Sequence, residues 1–170
     1  MSPKTRDTRT RARLLAHAFT ETLVGIFALR LPQVQHAVKT ITPQMKVESS
    51  YEGPHCIIVS EIYTSGPEII TTINQVTAVF VAGMWDLLTT HAHYELIAHE
   101  PDIQFFRHLR NACGHDGKWN FKELKRPAIW RDKELTLEHI GQEAFGGLLK
   151  HGDVWLLFID IDMKYFEHET

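Results

Sequence analysis

Three long segments of the chain repeat apolar residues at helical spacing. In residues 8–31, Leu15, Phe19, Leu23 and Ile26 recur every three or four positions, and Pro32 follows the segment directly. This spacing places the apolar side chains on one face of a helix, and a proline just past the pattern is a stop signal. The pattern therefore predicts a first helix over residues 8–31, and it allows a disordered basic arm at residues 1–10.

The second and third segments predict helices that begin at prolines. Gly66 and Pro67 precede a segment whose apolar stripe is wide enough for a helix at the centre of a bundle. Its apolar positions are Ile69, Ile70, Ile73, Val76, Phe80, Val81, Met84, Leu87 and Leu88. Pro101 opens the other helix in the first turn, where proline is best tolerated, and we expect Gly114 to end it. The apolar row of that helix is Phe105, Leu109 and Cys113, with Phe106 beside it.

The rest of the pattern predicts a minor β component and a last helix. Residues 33–40 fit a short helix, and residues 56–63 have the β-branched composition of a strand. Residues 128–130 and 135–137 predict a small hairpin that turns at residues 131–133, and residues 142–166 predict a C-terminal helix. Because the chain shows no internal repeat and no domain boundary, we predict one mainly α domain over residues 1–170. Its expected architecture is a bundle of four to five helices with a minor β element.

Composition excludes several classes of protein. The chain has 170 residues and a net charge of −3, with ordinary apolar and charged fractions for a globular protein. Its longest dense apolar run, residues 154–159, is about a third of the length that a bilayer crossing needs. The two cysteines, Cys56 and Cys113, form no CxxC pattern and suggest neither a disulfide framework nor a structural zinc site. We therefore expect a soluble, cytoplasmic protein that does not interact with membranes.

Positive charge is concentrated in residues 104–131, hereafter the basic segment. Its acidic residues are Asp116 and Glu123 alone, whereas its basic residues are Arg107, Arg110, Lys118, Lys122, Lys125, Arg126 and Arg131. A basic patch on an acidic protein suits a phosphate-rich partner, because the acidic surface restricts where a polyanion can dock. The alternative is that these cations only solvate a loop.

Within the basic segment, Arg110 and His115 are the residue types that cleave RNA without a metal. An imidazole that titrates near neutral pH can take a proton from a ribose 2′-hydroxyl. A guanidinium can hold the phosphate through two parallel hydrogen bonds and stabilise the charge that develops on it. Five residues on an ideal helix turn through about 500°, which leaves the two side chains about 140° apart. We therefore expect a left-handed Gly114 to bring His115 back toward Arg110, with Asn111 orienting the phosphate or the imidazole.

Residues 106–121 resemble the signature of the HEPN superfamily of helical-bundle proteins, which is an Arg, four to six intervening residues and a His. Here the match is Arg110-Asn111-Ala112-Cys113-Gly114-His115 at the predicted end of a helix. The residues that follow, Gly117, Trp119, Phe121, Trp130, Leu135, Leu137 and Gly141, are similar to those of prokaryote- and plasmid-encoded members. The resemblance covers about the last seventy residues, and the strand-like residues 56–63 do not map onto the family.

The resemblance implies a metal-independent endoribonuclease that needs no cofactor. Arg110 and His115 are then the catalytic pair with Asn111 beside them, and two motifs share one cleft in a homodimer. Members of this kind include toxins, antiphage factors and RNA-processing proteins, so an antitoxin or another regulatory protein is a possible partner. We expect RNA to contact Arg107, Lys118, Trp119, Lys122, Lys125 and Arg126, with Trp119 and Phe121 either stacking on bases or packing the loop onto the bundle.

Other functions remain open at this point. A catalytically silent HEPN-type dimer that binds RNA or a partner protein fits the same residues, and so does a small helical adaptor in which Arg110 and His115 are structural. His91, His93, His99 and His108 have spacings compatible with metal binding, although no Glu or Cys completes a known pattern. Cys113 and His115 suggest a thiol nucleophile, but residues two apart are badly placed to bond to each other. The chain has no glycine-rich nucleotide-binding motif.

Overall fold

The computed structural model of the chain describes residues 3–41, 44–47, 55–58 and 68–166. The described helices are α1 (Pro3–Ala28), α2 (Pro32–Ile41), α3 (Glu68–Thr89), α4 (Tyr94–Ile97), α5 (Pro101–Cys113) and α6 (His151–Tyr165). The described strands are β1 (Gln44–Val47), β2 (His55–Ile58), β3 (Ile129–Trp130) and β4 (Lys133–Glu134). The predicted class, mainly α with a minor β element, is confirmed. Helix α1 includes residues for which the sequence allows a disordered arm.

The chain divides into two compact units, and the boundaries between them fall within α1 and α3. The smaller unit is formed by residues 20–73. It contains α2, which confirms the helix predicted over residues 33–40, and an antiparallel pair of strands in which Gln44 lies opposite Ile58. Strand β2 confirms the beginning of the strand predicted over residues 56–63, whereas residues 59–63 lie outside the described part of the chain. Strand β1 is not indicated by the sequence pattern.

The larger unit, residues 1–19 and 74–170, has an aromatic core at Phe80 on α3. The Phe80 ring stacks on Phe19 of α1, with ring centroids 4.2 Å apart, and meets the edge of Phe158 of α6 at 6.3 Å. Leu15 packs so closely on Gly83 of α3 that an added Cβ at Gly83 would lie 2.8 Å from Leu15 Cδ2. The apolar stripes read from the sequence thus bring α1, α3 and α6 together.

Ion pairs and a phenolic hydrogen bond attach α6 to α1 and α5. Arg9 Nε and Nη2 donate to the two carboxylate oxygens of Asp162 at 3.0 and 3.1 Å. On the other side, Lys164 Nζ donates to Asp102 Oδ2 at 3.0 Å, and the Tyr165 hydroxyl donates to Asp102 Oδ1 at 2.7 Å. Desolvation and the neighbouring carboxylates raise the pKa of Tyr165, so this phenol remains a donor. Asp102, in the first turn of α5, therefore holds α6 against the helix that carries the candidate site.

The predicted hairpin is present, but its second strand is Lys133–Glu134 and not residues 135–137, since Leu137–His139 form a 3-10 helix. Strands β3 and β4 pair antiparallel with Trp130 opposite Lys133, and Arg131 takes a positive φ of 53° in the two-residue turn. The indole of Trp130 donates to Asp160 Oδ2 of α6 at 2.8 Å. Arg131 also binds Asp160, through Nε at 2.7 Å and Nη2 at 2.9 Å, and these bonds lower the pKa of the carboxyl group. Arg131 is therefore an anchor of the hairpin and is not a cation available to a ligand.

The last helix begins later than its predicted start at residue 142. Residues 142–150 form turns, in which Leu149 N–H donates to Ala144 O at 3.0 Å, and α6 begins only at His151. Gly146 and Gly147 lie in this stretch, and two glycines in succession are unfavourable in a helix interior. The predicted start is therefore wrong, although the helix ends close to the expected residue.

The apolar run at residues 154–159 belongs to α6, in which Val154 and Leu157 are buried. In the described part of the chain, no single helix has both the length and the apolar character needed to cross a membrane. One bent pair, Thr8–Ala28 followed by Pro32–Val38, meets that test only when its two helices are taken together.

Candidate functional site

Helix α5 carries the Arg and Asn of the motif. Pro101 occupies its first turn, and its apolar face is buried through Ile103, Gln104, Phe105, Phe106, Leu109 and Ala112. Arg107 and Arg110 lie on the exposed side of the same helix, and Asn111 is half-buried. Because one face is fully packed, the helix holds the backbone of Arg110 and Asn111 in a defined position.

The predicted left-handed conformation at Gly114 is wrong. Gly114 has φ −80° and ψ −5°, which is right-handed, and its N–H lies 3.3 Å from Arg110 O and 3.1 Å from Asn111 O. His115 N–H then donates to Ala112 O at 2.9 Å. The chain therefore keeps turning in the helical sense through His115, with a tighter last turn of the kind common at helix ends.

The reversal of the chain occurs two residues later than expected. Asp116 and Gly117 have positive φ angles of 53° and 76°. The Gly117 N–H returns to Ala112 O at 3.0 Å, which closes the end of the helix. A left-handed glycine with this bond is the usual way to satisfy the last carbonyls of a helix. Gly117 therefore has the role that the sequence pattern assigns to Gly114.

Because Gly114 stays right-handed, His115 remains on a different side of the helix axis from Arg110. Helical geometry keeps the two residues about 140° apart and puts His115 near the side of Asn111 and His108. Both side chains are exposed, and the described residues show no hydrogen bond between them. One chain therefore offers Arg110 and His115 as separate groups, and the expected contact between them within a chain does not form.

The loop after His115 is a fixed structure because its backbone pairs with a distant segment. Trp119 N–H donates to Gln142 O at 3.0 Å, and Gly141 N–H donates to Trp119 O at 2.8 Å. Ala144 N–H donates to Gly117 O at 2.8 Å. This pairing explains why residues 142–144 are unavailable to α6, and it sets the direction in which the side chains of residues 118–121 point.

The prediction that Trp119 contacts RNA is wrong. Its side chain is only 1% exposed and meets the edge of the Phe105 ring, with centroids 5.8 Å apart. Phe121 is 8% exposed and lies against the ring of His108, with centroids 5.0 Å apart. The loop thus packs its two aromatic residues onto α5, which is the second of the two roles that the sequence left open.

The cations of the basic segment differ in whether a carboxylate neutralises them. Lys118 Nζ lies 3.9 Å from Glu143, and Lys125 Nζ lies 3.3 Å from Glu123. Four predicted RNA-binding or catalytic side chains are exposed and have no ion pair within the described ranges: Arg107, Arg110, Lys122 and Arg126. These four are the charges with which an anionic ligand can pair without displacing a carboxylate of the chain.

His108 is a site residue that the sequence reasoning considered only as a metal ligand. It is half-buried, its Nδ1 is buried without a hydrogen-bond partner in the described structure, and its ring contacts Phe121. Burial, reinforced by the Arg107 guanidinium, lowers the pKa of His108. The sequence contained a signal for this role, because His108 and Asn111 lie on one side of α5 and His115 continues the same helical spacing in the turn that follows.

The structure gives no support to the alternative chemistries. The residues described include no group of three or more His, Cys, Asp or Glu side chains that could hold a metal ion. His91, one of the suggested ligands, is 6% exposed and packs against the Phe166 ring at 4.3 Å. Burial raises the pKa of the Cys113 thiol to about 12, so it stays protonated and is a poor nucleophile at neutral pH.

No family model, curated protein or solved structure matches this chain. The side chains at the end of α5 and in the basic segment therefore give the evidence for function. They provide an exposed guanidinium and an exposed imidazole at a rigid helix end, near cations that form no ion pair in the described part of the chain.

Proposed function

We propose that the chain is a metal-independent endoribonuclease and that its complete site forms between two copies of the chain. The observation that carries the proposal is that Arg110 and His115 are both exposed at the end of a well-packed helix. Arg107, Lys122 and Arg126 in the same segment are also exposed and have no ion pair with any residue that the structure describes. The resemblance of residues 106–121 to the HEPN superfamily supports the same assignment and implies a homodimer.

In the proposed reaction, His115 removes the proton of a ribose 2′-hydroxyl, and that oxygen attacks the adjacent phosphorus. The bond from phosphorus to the 5′ oxygen breaks, and the leaving oxygen takes up one proton from the imidazolium. The products are a 2′,3′-cyclic phosphate and a free 5′-hydroxyl. Arg110 binds the non-bridging oxygens, on which negative charge increases during the attack. The half-buried Asn111 is beside Arg110 and positions the phosphate or the imidazole.

The separation of Arg110 and His115 within a chain is the reason for placing the site between two copies. If Arg110 of one copy meets His115 of the other, each residue supplies its chemistry without the left-handed turn at Gly114. We further propose that the protein acts in the cytoplasm as a toxin, an antiphage factor or an RNA-processing factor, under the control of an antitoxin or another regulatory protein. These roles rest on the resemblance alone.

The test uses Arg110→Ala and His115→Ala, with His99→Ala as the matched control for an exposed histidine. We expect each site variant to lose at least about 100-fold in cleavage rate, which is typical for a general base or a charge-stabilising group. Thermal stability should be unchanged, because both side chains are exposed. Cleavage should persist with a chelator present and yield cyclic phosphate ends, detected by mass spectrometry. Undiminished cleavage in both variants, or loss of activity with the chelator, would refute the proposal.

Mixing the two inactive variants tests the location of the site. A mixed dimer of Arg110→Ala and His115→Ala contains one site with both groups intact if the site is shared between copies. We therefore expect mixing and re-equilibration to restore a substantial fraction of the activity. No restoration, with mixed dimers confirmed by mass spectrometry, would place the whole site within one chain.

A catalytically silent module that binds RNA or a partner protein is the second candidate. The observation that favours it is that Arg110 and His115 form no hydrogen bond with each other within the chain, while Arg107, Lys122 and Arg126 are exposed and have no ion pair among the described residues. RNA binding should then survive His115→Ala and weaken when Lys122 and Lys125 are neutralised, and the wild-type protein should cleave no RNA.

A further inference from the structure

The basic segment hides all of its aromatic residues. Their exposed fractions are 0% to 8%, and the residues are Phe105, Phe106, Trp119, Phe121 and Trp130. Most of the charged groups exposed on the same segment are guanidinium, ammonium and imidazole groups, and the exposed carboxylates are those of Asp116 and Glu123. The amide of Asn120 is exposed as well. The basic segment is therefore rich in groups that bind phosphate and exposes no Phe, Tyr or Trp ring on which a base can stack.

Each of the three aromatic residues outside α5 is held in place by its own contacts. Trp119 is bonded through its backbone on both sides and packs on Phe105. Phe121 lies on the His108 ring at 5.0 Å. The Trp130 indole donates to Asp160 at 2.8 Å. Turning any of these rings outward to meet a base would open the core of the larger unit.

The same packing brings cations from two elements together. Phe121, the residue before Lys122, lies on His108, which follows Arg107 on α5. Arg107 and Arg110 are three residues apart on α5, so their side chains project from one side of the helix. The cations thus follow the end of α5 and its loop, as a polynucleotide backbone would require.

We propose that this surface binds a polynucleotide through its phosphates without stacking on its bases, and therefore binds DNA as well as RNA. The inference rests on the proposed function for its substrate class. Cleavage remains limited to RNA, because only ribose carries the 2′-hydroxyl that attacks phosphorus. Selection of a target would then depend on the shape and flexibility of the backbone and not on the identity of unpaired bases.

The binding experiment uses His115→Ala, which removes the proposed base and leaves the cations in place. Affinities are measured for four oligomers of equal length: oligo(U), oligo(A), oligo(dT) and an abasic deoxyribose-phosphate chain. We expect the four dissociation constants to agree within about threefold, because stacking of one base alone would tighten binding by about 5- to 150-fold. A preference of tenfold or more for either RNA or for oligo(dT) over the abasic chain would overturn the inference.

Two further variants show that the assay can detect both contributions. Asn120→Trp places an aromatic ring on the exposed side of the loop and should raise affinity for oligo(dT) but not for the abasic chain. Lys122→Gln should lower affinity for all four oligomers by a similar factor, with a smaller dependence on salt. Loss of affinity in Lys122→Gln for the oligomers with bases alone would contradict phosphate binding.

A competition assay separates failure of this inference from failure of the proposed function. With wild-type protein, oligo(dT) should inhibit RNA cleavage competitively, with an inhibition constant within about threefold of the RNA dissociation constant. Cleavage that oligo(dT) cannot inhibit would overturn the inference and leave the ribonuclease intact. Equal binding of all oligomers without any RNA cleavage would support the inference and reject the enzyme. No binding of any oligomer would overturn both.

Discussion

Substituting alanine at Gly114 and Gly117 separates the observed end of α5 from the end that the sequence predicts. Gly117 has a φ of 76°, and its added Cβ would have room, since the nearest atom is Glu143 Oε2 at 3.7 Å. The cost of Gly117→Ala is therefore that of a left-handed L-residue, about 1–2 kcal/mol. Gly114 is right-handed, and its added Cβ would make an ordinary contact of 3.5 Å with Asn111 O.

The two variants should therefore change stability in opposite directions. Replacing glycine by alanine reduces the freedom of the unfolded chain and stabilises a compatible site by about 0.4–1 kcal/mol. We expect Gly114→Ala to be more stable than wild type by about 0.5 kcal/mol. The same gain offsets part of the strain in Gly117→Ala, which should be less stable by about 1 kcal/mol. In a chain of this size each kcal/mol corresponds to about 2–4 °C in melting temperature.

Urea unfolding followed by circular dichroism measures both changes. Gly117→Asn is the matched control, because asparagine tolerates the left-handed region better than alanine and should recover part of the lost stability. A larger loss in Gly114→Ala than in Gly117→Ala would refute the observed turn and restore the arrangement in which His115 returns toward Arg110.

Two more predictions concern the surroundings of the site. Burial and Arg107 lower the pKa of His108 from 6.5, so the fold favours the neutral ring. The contribution of neutral His108 to stability is complete above the pKa that this residue has in the unfolded chain. It is lost as the pH falls through the lower pKa that His108 has in the folded protein. His108→Leu should therefore flatten the decrease in unfolding free energy below about pH 6.5, and an unchanged pH profile would contradict this. Asp160→Ala removes the acceptor of the buried Trp130 indole and should lower the free energy of urea unfolding by about 1–3 kcal/mol. Arg131→Ala should cost less because Arg131 is exposed, and an equal or larger loss would be contrary to expectation.

Local signals predicted most of the helices. The apolar repeat of α1, the proline before α3 and the proline that opens α5 located these elements within a few residues of their observed bounds. The existence of the β3–β4 hairpin could also be predicted, because apolar residues flank a polar turn at Arg131. These features depend on side-chain spacing and backbone preference over a few positions, which a single sequence shows directly. Strand β1 and helix α4 are too short for the spacing of their apolar residues to indicate a strand or a helix.

The candidate site was predicted in its residue types but not in its geometry. The positions of Arg110, His115 and the unpaired cations follow from the sequence, and the structure leaves those side chains exposed. The roles predicted for Gly114 and Trp119 were wrong for the same reason. Both depend on the path of the backbone through residues 117–119 after the helix ends. That path is set by backbone hydrogen bonds to residues 141–144, and no local sequence pattern predicts these bonds.

The sequence by itself thus determined which segments become helices and which residues bring charge and a titratable imidazole to the end of α5. Tertiary structure alone decided that Trp119 and Phe121 point inward, that Arg131 is bound by Asp160, and that Arg110 and His115 remain apart within one chain. The physical reason is that periodicity and turn chemistry act between neighbours. The pairing of residues 117–119 with 141–144, and of Arg131 with α6, instead joins segments far apart in the chain and depends on the packing of the whole unit.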